Sequence, residues 1–185
     1  MPIVLRAVSC IAAALVLTGA AGDDPPASTE RLALEAARVS GDRPLYFAGE
    51  RIEGVPLTAI LSRSDTAEYV SFVYGDCTPD DDAGCASPVE IQVWPACRRS
   101  LALYGPSPLG PTFERTTLRG VPAAILDVGT RVELQTGRST IVVFGDSRDR
   151  VLSVARALRA VDGSTSVREA LPSPVPHALE GTLAC

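Results

Sequence analysis

Ser147 ends the stretch of sequence that most clearly suggests chemistry, Ile141-Val142-Val143-Phe144-Gly145-Asp146-Ser147. A serine placed directly after a β-branched run and a Gly-Asp pair can act as a nucleophile in acyl transfer. That chemistry needs a histidine base and a group of donors that forms an oxyanion hole. The chain contains one histidine, His177, which lies among prolines at 174–178.

The block at 141–147 resembles the opening block of the GDS-type (SGNH) esterases, in which the block ends the first strand and its serine is the nucleophile. The resemblance implies an oxyanion Asn and a later Asp-x-x-His. This chain has no Asn, carries Pro174 three residues before His177, and has Arg148 where the family usually has Leu. Only 38 residues follow the block. The residues favour a strand, a turn and a helix capped by Asp146 or Ser147, and Ser147 esterase chemistry stays as the alternative.

Three other groups of polar residues have simpler interpretations than catalysis or metal binding. His177 is read as a solvated residue of the tail, with a general-base role as its alternative. The run at 80–82, Asp-Asp-Asp, lacks the alternating spacing and final Glu of a calcium loop, so we read it as a solvated hairpin tip. Glu50 and Glu53 flank Arg51 in a Gly-rich turn and are predicted to lie on the surface. We predict no catalytic residue, no metal site and no cofactor.

The first 22 residues resemble an export signal, described below, and removing them leaves four cysteines. An even number of cysteines in an exported protein indicates disulfides, here two. The four cysteines are Cys77, Cys85, Cys97 and Cys185. Three connectivities are open; we favour Cys77–Cys85 across a polar loop and Cys97–Cys185 tying the tail to the body. The spacing lacks the close cysteine pairs of a structural zinc site.

Seven of the nine aromatic side chains lie between residues 46 and 104, where we expect most of them to form core. They are Tyr46, Phe47, Tyr69, Phe72, Tyr74, Trp94 and Tyr104. If Trp94 and Tyr74 are exposed instead, they mark a binding surface.

Composition excludes several classes of function. All 17 basic residues are Arg, and the chain has neither Lys nor Asn. Schiff-base lysine chemistry, a Walker-type phosphate site, Asn-linked glycosylation and a multi-histidine metal site are therefore excluded. The bias is typical of GC-rich codon usage.

The first 22 residues have the order of a secretory signal peptide: one positive charge, an apolar run at 7–17, then small residues at 18–22. We predict cleavage after Ala20, Ala21 or Gly22. The alternative is that Ile3–Gly22 stays uncleaved as an anchor, and only in that case do we expect the protein to contact the membrane. The mature chain keeps 16 Arg against 22 acidic residues, a formal charge of −6. Without a basic stripe, nucleic-acid binding is not expected.

After the signal peptide we predict a flexible lead at 23–28, followed by a single domain at 29–185. We predict a helix at Thr29–Val39, strands at 44–47, 57–62, 68–74 and 89–94, and a short helix at 98–104. In the second half we predict strands at 121–127, 131–135 and 139–144, joined by short glycine connections. Val132 and Leu134 are predicted to face the core, and Arg131, Glu133 and Gln135 to face solvent.

The last predicted elements are an amphipathic helix at 147–161, closed by Gly163, and a Pro-rich surface tail from Leu171 that Cys185 pins. Runs of strands with segregated helices predict an α+β fold with an antiparallel sheet, one or two helices packed on one face, and disulfides.

Two weaker resemblances concern separate parts of the chain. The segments around Pro44–Leu57, 72–77 and Glu90-Ile91-Gln92-Val93-Trp94-Pro95-Ala96-Cys97 resemble uncharacterised secreted proteins of GC-rich bacteria. Leu118–Val161 is similar to domains of unknown function in bacterial envelope lipoproteins and anti-sigma regulators. They imply an exported sheet-plus-helix domain with no known catalysis. Our leading hypothesis is an exported, non-catalytic domain that binds an unidentified ligand or partner at the cell envelope, with a sensory or regulatory domain on an uncleaved anchor as a further alternative.

Overall fold

Ten strands and one α-helix make up the regular structure of the part described by the computed structural model, residues 43–63, 68–76, 86–104 and 113–185. The bounds are β1 Tyr46–Phe47, β2 Arg51–Ile52, β3 Val55–Arg63, β4 Tyr69–Tyr74, β5 Val89–Pro95, β6 Glu114–Leu118, β7 Val121–Leu126, β8 Arg131–Thr136, β9 Ser139–Gly145, α1 Arg148–Ala157 and β10 Arg159–Ala160. Short 3-10 helices span Leu101–Leu103 and Asp127–Gly129.

Eight of these strands form one antiparallel sheet in the order β2-β3-β4-β5-β9-β8-β7-β6, and β1 pairs with β10 in a separate ribbon. The predicted antiparallel sheet with a packed helix and a disulfide is confirmed. Strands make up most of the regular structure of the described residues, with one α-helix beside them. Strands β2–β5 and β6–β9 are two four-stranded meanders, each running from an edge to the centre. They meet where β5 pairs antiparallel with β9, with Ile91 opposite Val143.

One face of the sheet is apolar and carries the main core. Alternate residues of the central strands point to this face, and Phe72, Ile91 and Val143 are fully buried there. Helix α1 packs across β8 and β9 and buries Val151, Val154 and Ala155 in the same core. Burying each large apolar side chain stabilises the fold by about 1.5–3 kcal/mol.

The helix ends four residues earlier than the periodicity predicts, at Ala157 rather than Val161. Leu158 leaves helical geometry at ψ 138°, and Arg159–Ala160 pair with Tyr46–Phe47. The guanidinium of Arg119 takes part in ending the helix, because it donates to the carbonyls of Arg156, at 3.0 Å, and of Leu158. The prediction that Gly163 closes the helix is therefore wrong; strand pairing competes successfully with the last helical turn.

The prediction that Glu133 and Gln135 face solvent is also wrong. Both side chains are fully buried on the second face of the sheet. Gln135 accepts from the N–H of Leu101 at 3.1 Å and donates to the carbonyl of Ala178 at 2.7 Å. The segment after β5 and the C-terminal tail therefore cover part of this face, which the alternation of a single strand does not reveal.

Most predicted strands agree with the structure to within two residues. The two-residue strands β2 and β10 are not among the predicted strands, and neither is β6. Its sequence, Glu114-Arg115-Thr116-Thr117-Leu118, shows little alternation because it is an edge strand with mostly exposed side chains. The short helix predicted at 98–104 is the 3-10 turn at Leu101–Leu103.

The tail is joined to the body of the domain by the predicted Cys97–Cys185 disulfide, with a Cα–Cα distance of 5.2 Å. The tail is packed more closely against the domain than the predicted surface tail, because Leu171 and Ala178 are buried. The N–H of Val175 also donates to the carbonyl of Gly137 at 2.9 Å.

Several predictions concern residues outside the described ranges. These are the signal segment at 1–22, the lead at 23–28, the helix at Thr29–Val39, the acidic run at 80–82, and Cys77 and Cys85. Among the described residues, no helix combines the length and apolar character needed to cross a membrane.

Candidate binding site

Ser147 begins helix α1 and uses its hydroxyl as the helix cap. Its backbone is extended (φ −152°, ψ 157°), and its Oγ accepts from the N–H of Arg150 at 3.4 Å. Gly145 is needed just before it, because a Cβ there would lie 2.8 Å from Cγ1 of Val151. Asp146 forms an ion pair with Arg150. The Gly-Asp-Ser block is therefore used in a tight strand-to-helix turn.

His177, the other member of the candidate esterase pair, is exposed in the tail and contacts Glu180, with Nδ1 3.0 Å from Oε2. The hydrogen bonds of Ser147 and of His177 therefore go to different partners. Glu53 is exposed and pairs with Arg150 at 3.2 Å, and Glu50 is exposed too, which agrees with the surface positions predicted for both. In the described part of the chain, no three His, Cys, Asp or Glu side chains are grouped to hold a metal ion.

Tyr74 is a core residue, as expected for most of the aromatic side chains, so the condition for a binding surface at this position is not met. Its side chain is fully buried on the apolar face. The hydroxyl donates to the carbonyl of Gly49 and accepts from the N–H of Ala48, both at 3.0 Å. Burial raises the pKa of Tyr74 above the usual range for tyrosine. The strand register places this residue in the core, next to the β1 segment.

Trp94 is half-buried on the opposite face of the sheet from Tyr74. Its ring stacks on Tyr69 with centroids 4.2 Å apart, and Arg99 lies over it with Cζ 5.1 Å from the centroid. The indole N–H donates to Gln92 at 2.9 Å. These contacts occupy the ring of Trp94 and its N–H donor. Trp94 therefore holds Tyr69, Gln92 and Arg99 in place, and its ring is not free to stack on a ligand.

A chain of polar contacts runs from Trp94 across this second face. Gln92 donates to Oε1 of Glu90 at 2.8 Å, and Ser71 donates to the same oxygen at 2.6 Å. Cross-strand neighbours on one face of a sheet interact in this way when their Cβ atoms are close. The polar groups are thus paired with one another.

Glu133 forms the centre of a second polar group on the same face. Arg99 donates to it from Nε at 3.1 Å and also from Nη2, and the hydroxyl of Tyr104 donates to Oε1 at 2.8 Å. Burial lowers the pKa of Arg99, but the hydrogen bond and charge of Glu133 outweigh that effect and raise it. The pKa of Tyr104 is raised by burial first and by the charge of Glu133 second. This arrangement holds the segment after β5 against the sheet.

Beside Tyr104 lies a cleft of about 290 Å³, where β6 and β7 meet the segment after β5 and the tail. We call it the Leu101 cleft. Six of its lining residues are Leu101, Phe113, Arg115, Pro122, Ala124 and Leu179. A concave, mainly apolar site with a few polar groups is the usual form of a ligand pocket.

The floor of the Leu101 cleft is a small apolar cluster separate from the main core. Leu101, Ala124 and Leu126 are buried in it, with Tyr104 and Phe113 packed against them. At the rim, Leu179 keeps 44% of its surface exposed, and Leu103, next to the cleft in sequence, keeps 71%. Leu179 therefore presents exposed apolar surface at the edge of the cleft.

Arg115 is the charged residue among those that line the Leu101 cleft. Its Nη2 donates to the carbonyl of Tyr104 at 3.1 Å, and its Cζ lies 5.3 Å from the ring centroid of Phe113. Among the described residues, no carboxylate forms an ion pair with Arg115. The neighbouring Glu114 is already paired with Arg148 at 2.7 Å.

Sequence reasoning missed the Leu101 cleft, because its residues come from four separated segments. The sequence pattern predicts a short helix at Leu101, a surface tail at Leu179 and no strand at β6. The one signal in the sequence is Phe113-Glu114-Arg115, an aromatic and an arginine that follow a Pro/Gly-rich stretch of sequence.

A smaller depression of about 160 Å³ adjoins the Cys97–Cys185 disulfide. Arg43, Arg138 and Glu68 are among its lining residues, so charges of both signs are present. It is the weaker candidate for a binding site.

Comparison with models of protein families, with curated proteins and with solved structures finds no match to this chain.

Proposed function

We propose that this chain is an exported, non-catalytic domain that binds a ligand or partner at the cell envelope, and that the Leu101 cleft is where it binds. The observation that carries the proposal is an apolar cleft with the exposed Leu179 at its rim and with Arg115, which forms no ion pair with a carboxylate of the described residues. The resemblance to uncharacterised secreted proteins and envelope domains of unknown function points in the same direction.

Export is supported by the signal-like segment and by the disulfide. A structural disulfide persists in an oxidising compartment outside the cytoplasm. N-terminal sequencing of the protein recovered from an exporting bacterium tests this step. A start just after Ala20, Ala21 or Gly22 supports the exported domain, whereas an intact Met1 favours the anchored sensory or regulatory domain.

Binding at the Leu101 cleft is tested with an uncharged apolar probe, 1-octanol, titrated into the ¹⁵N-labelled mature chain. We expect saturable shifts at the amides of Phe113, Thr116, Ala124 and Leu179. Substituting Leu179→Ser at the exposed rim weakens them, because it removes apolar area without emptying the core. Ala184→Ser, exposed and outside the cleft, serves as the matched control. Shifts scattered over the surface, or unchanged in Leu179→Ser, contradict the proposal.

The Ser147 esterase remains the alternative function, supported by the Gly145-Asp146-Ser147 block alone. The described contacts favour the non-catalytic function, because Ser147 caps α1 and His177 pairs with Glu180.

A further inference from the structure

We propose that the Leu101 cleft takes a small apolar carboxylate, whose hydrocarbon part lies on Leu101 and Phe113 and whose anionic group is bound by Arg115. This inference rests on the proposed function and specifies the chemical class of its ligand.

The size and lining of the cleft determine the hydrocarbon part. At about 30 Å³ for each water-sized group, 290 Å³ holds roughly ten non-hydrogen atoms. Leu101, Phe113, Pro122, Ala124 and Leu179 present mainly carbon to this space. A ligand without a sizeable apolar part would leave that surface without a partner.

The free N–H donors of Arg115 indicate which polar group the ligand carries. A guanidinium has five N–H donors in a planar fork, and one of those of Arg115 is used by the carbonyl of Tyr104. Its position over Phe113 holds the guanidinium at the cleft, with Cζ 5.3 Å from the ring centroid. The remaining donors match the two oxygens of a carboxylate.

The surrounding charges favour an anion at this point, although the chain as a whole is acidic. Arg99 and Arg131 both lie within 4 Å of Glu133, and Arg148 pairs with Glu114, so the neighbouring charges are compensated. No acidic residue is among those that line the cleft. Since salt screens exposed charges beyond about 8 Å, the local Arg115 outweighs the distant acidic surface.

The test compares three probes of equal chain length on the full mature chain with its disulfide intact: octanoate, 1-octanol and octylamine, each kept below its micelle-forming concentration. Octanoate has ten non-hydrogen atoms, as the cleft requires. We expect octanoate to bind at least tenfold more tightly than 1-octanol by calorimetry, and octylamine to bind more weakly than 1-octanol.

Substitution of the arginine separates charge recognition from apolar contact. We expect Arg115→Gln to weaken octanoate about tenfold and to leave 1-octanol within twofold, since only a charge-assisted hydrogen bond is lost. Arg168→Gln, an exposed arginine outside the cleft, is the matched control and leaves both affinities unchanged. Amide shifts of the free variants verify that each is folded.

Two failures have different meanings. If 1-octanol binds at the cleft but octanoate is no tighter, or Arg115→Gln has no effect on octanoate, carboxylate recognition is wrong and the proposed binding function survives. If neither probe perturbs the cleft residues, both proposals fail. Octylamine binding more tightly than octanoate also overturns the inference.

Discussion

At the scale of single residues, buried Glu133 is the carboxylate that Arg99, Tyr104 and Arg131 share. Its carboxylate is fully buried and receives hydrogen bonds from Arg99 and Tyr104, with Nε of Arg131 3.6 Å from Oε1. A buried charge is costly unless it is paired, and removing one partner leaves the others without compensation. Glu133 therefore supports the segment that builds one wall of the Leu101 cleft.

We expect Glu133→Ala to lower the free energy of unfolding by about 3 kcal/mol, because Arg99 and Tyr104 lose their shared acceptor. Urea unfolding measures the change. Glu180→Ala, an exposed carboxylate, is the control and should cost less than about 1 kcal/mol. Equal losses in the two variants contradict the assigned role of Glu133.

The raised pKa values of three buried or half-buried tyrosines indicate that the protein loses stability at alkaline pH. Burial is the main cause that raises the pKa of Tyr46, Tyr74 and Tyr104 in the folded state. Above about pH 10, the unfolded chain releases these protons while the folded chain keeps them, so the folded state binds more protons and its stability falls as pH rises. Urea unfolding between pH 8 and 10.5 should show this decline.

Tyr104→Phe should make that decline shallower, because one proton no longer contributes to the difference. The slope of stability against pH, rather than stability at a single pH, is the quantity to compare with wild type. An unchanged slope would mean that Tyr104 ionises alike in the folded and unfolded chains.

At the scale of elements, the junction between β9 and α1 explains the Gly-Asp-Ser block without catalysis. Gly145 permits the close approach to Val151, Asp146 pairs with Arg150, and Ser147 caps the first turn. Each residue of the block has a structural use in the place where the esterase resemblance put a nucleophile.

We expect Ser147→Ala to lower the free energy of unfolding by about 1 kcal/mol through loss of the cap. Ser147→Asp should restore most of it, since a carboxylate accepts the same N–H and favours the positive end of the helix. A fluorophosphonate probe should label neither variant nor wild type. Wild-type labelling that disappears in Ser147→Ala would establish the esterase instead.

The elements that were predicted well are those whose own sequence alternates. Strands β4, β5, β8 and β9 have one side chain in two directed into the apolar core. Edge strand β6 lacks this pattern, and α1 ends early because Arg159–Ala160 pair with β1, a contact from more than 110 residues away. Local periodicity records neither of these effects.

At the scale of the whole molecule, the Cys97–Cys185 bond closes a long loop, with 88 residues of separation. It holds the tail next to Ser100 and Gln135, whose side chains both donate to the carbonyl of Ala178. Because Leu179 is the next residue, the bond also helps to place one rim of the Leu101 cleft.

We expect Cys185→Ser to lower the free energy of unfolding by about 2–4 kcal/mol, since the unfolded chain regains the freedom of that loop. Denaturant unfolding followed by Trp94 fluorescence measures it, with Ala184→Ser as the neighbouring control. Faster hydrogen exchange across residues 171–185 should accompany the loss. A change no larger than that of the control would leave the bond without a stabilising role.

The sequence by itself determined the antiparallel sheet, the helix after β9 and the exclusion of lysine and multi-histidine chemistry, and it favoured the pairing of Cys97 with Cys185 among three connectivities. These follow from residue type and local periodicity. Only the tertiary structure decided that Tyr74 and Glu133 are buried, that Trp94 is occupied by its neighbours, and that Leu101, Phe113, Arg115 and Leu179 form one cleft. The physical reason is that burial depends on which distant segment covers a face, and a strand alternates in the same way whether or not its second face is covered.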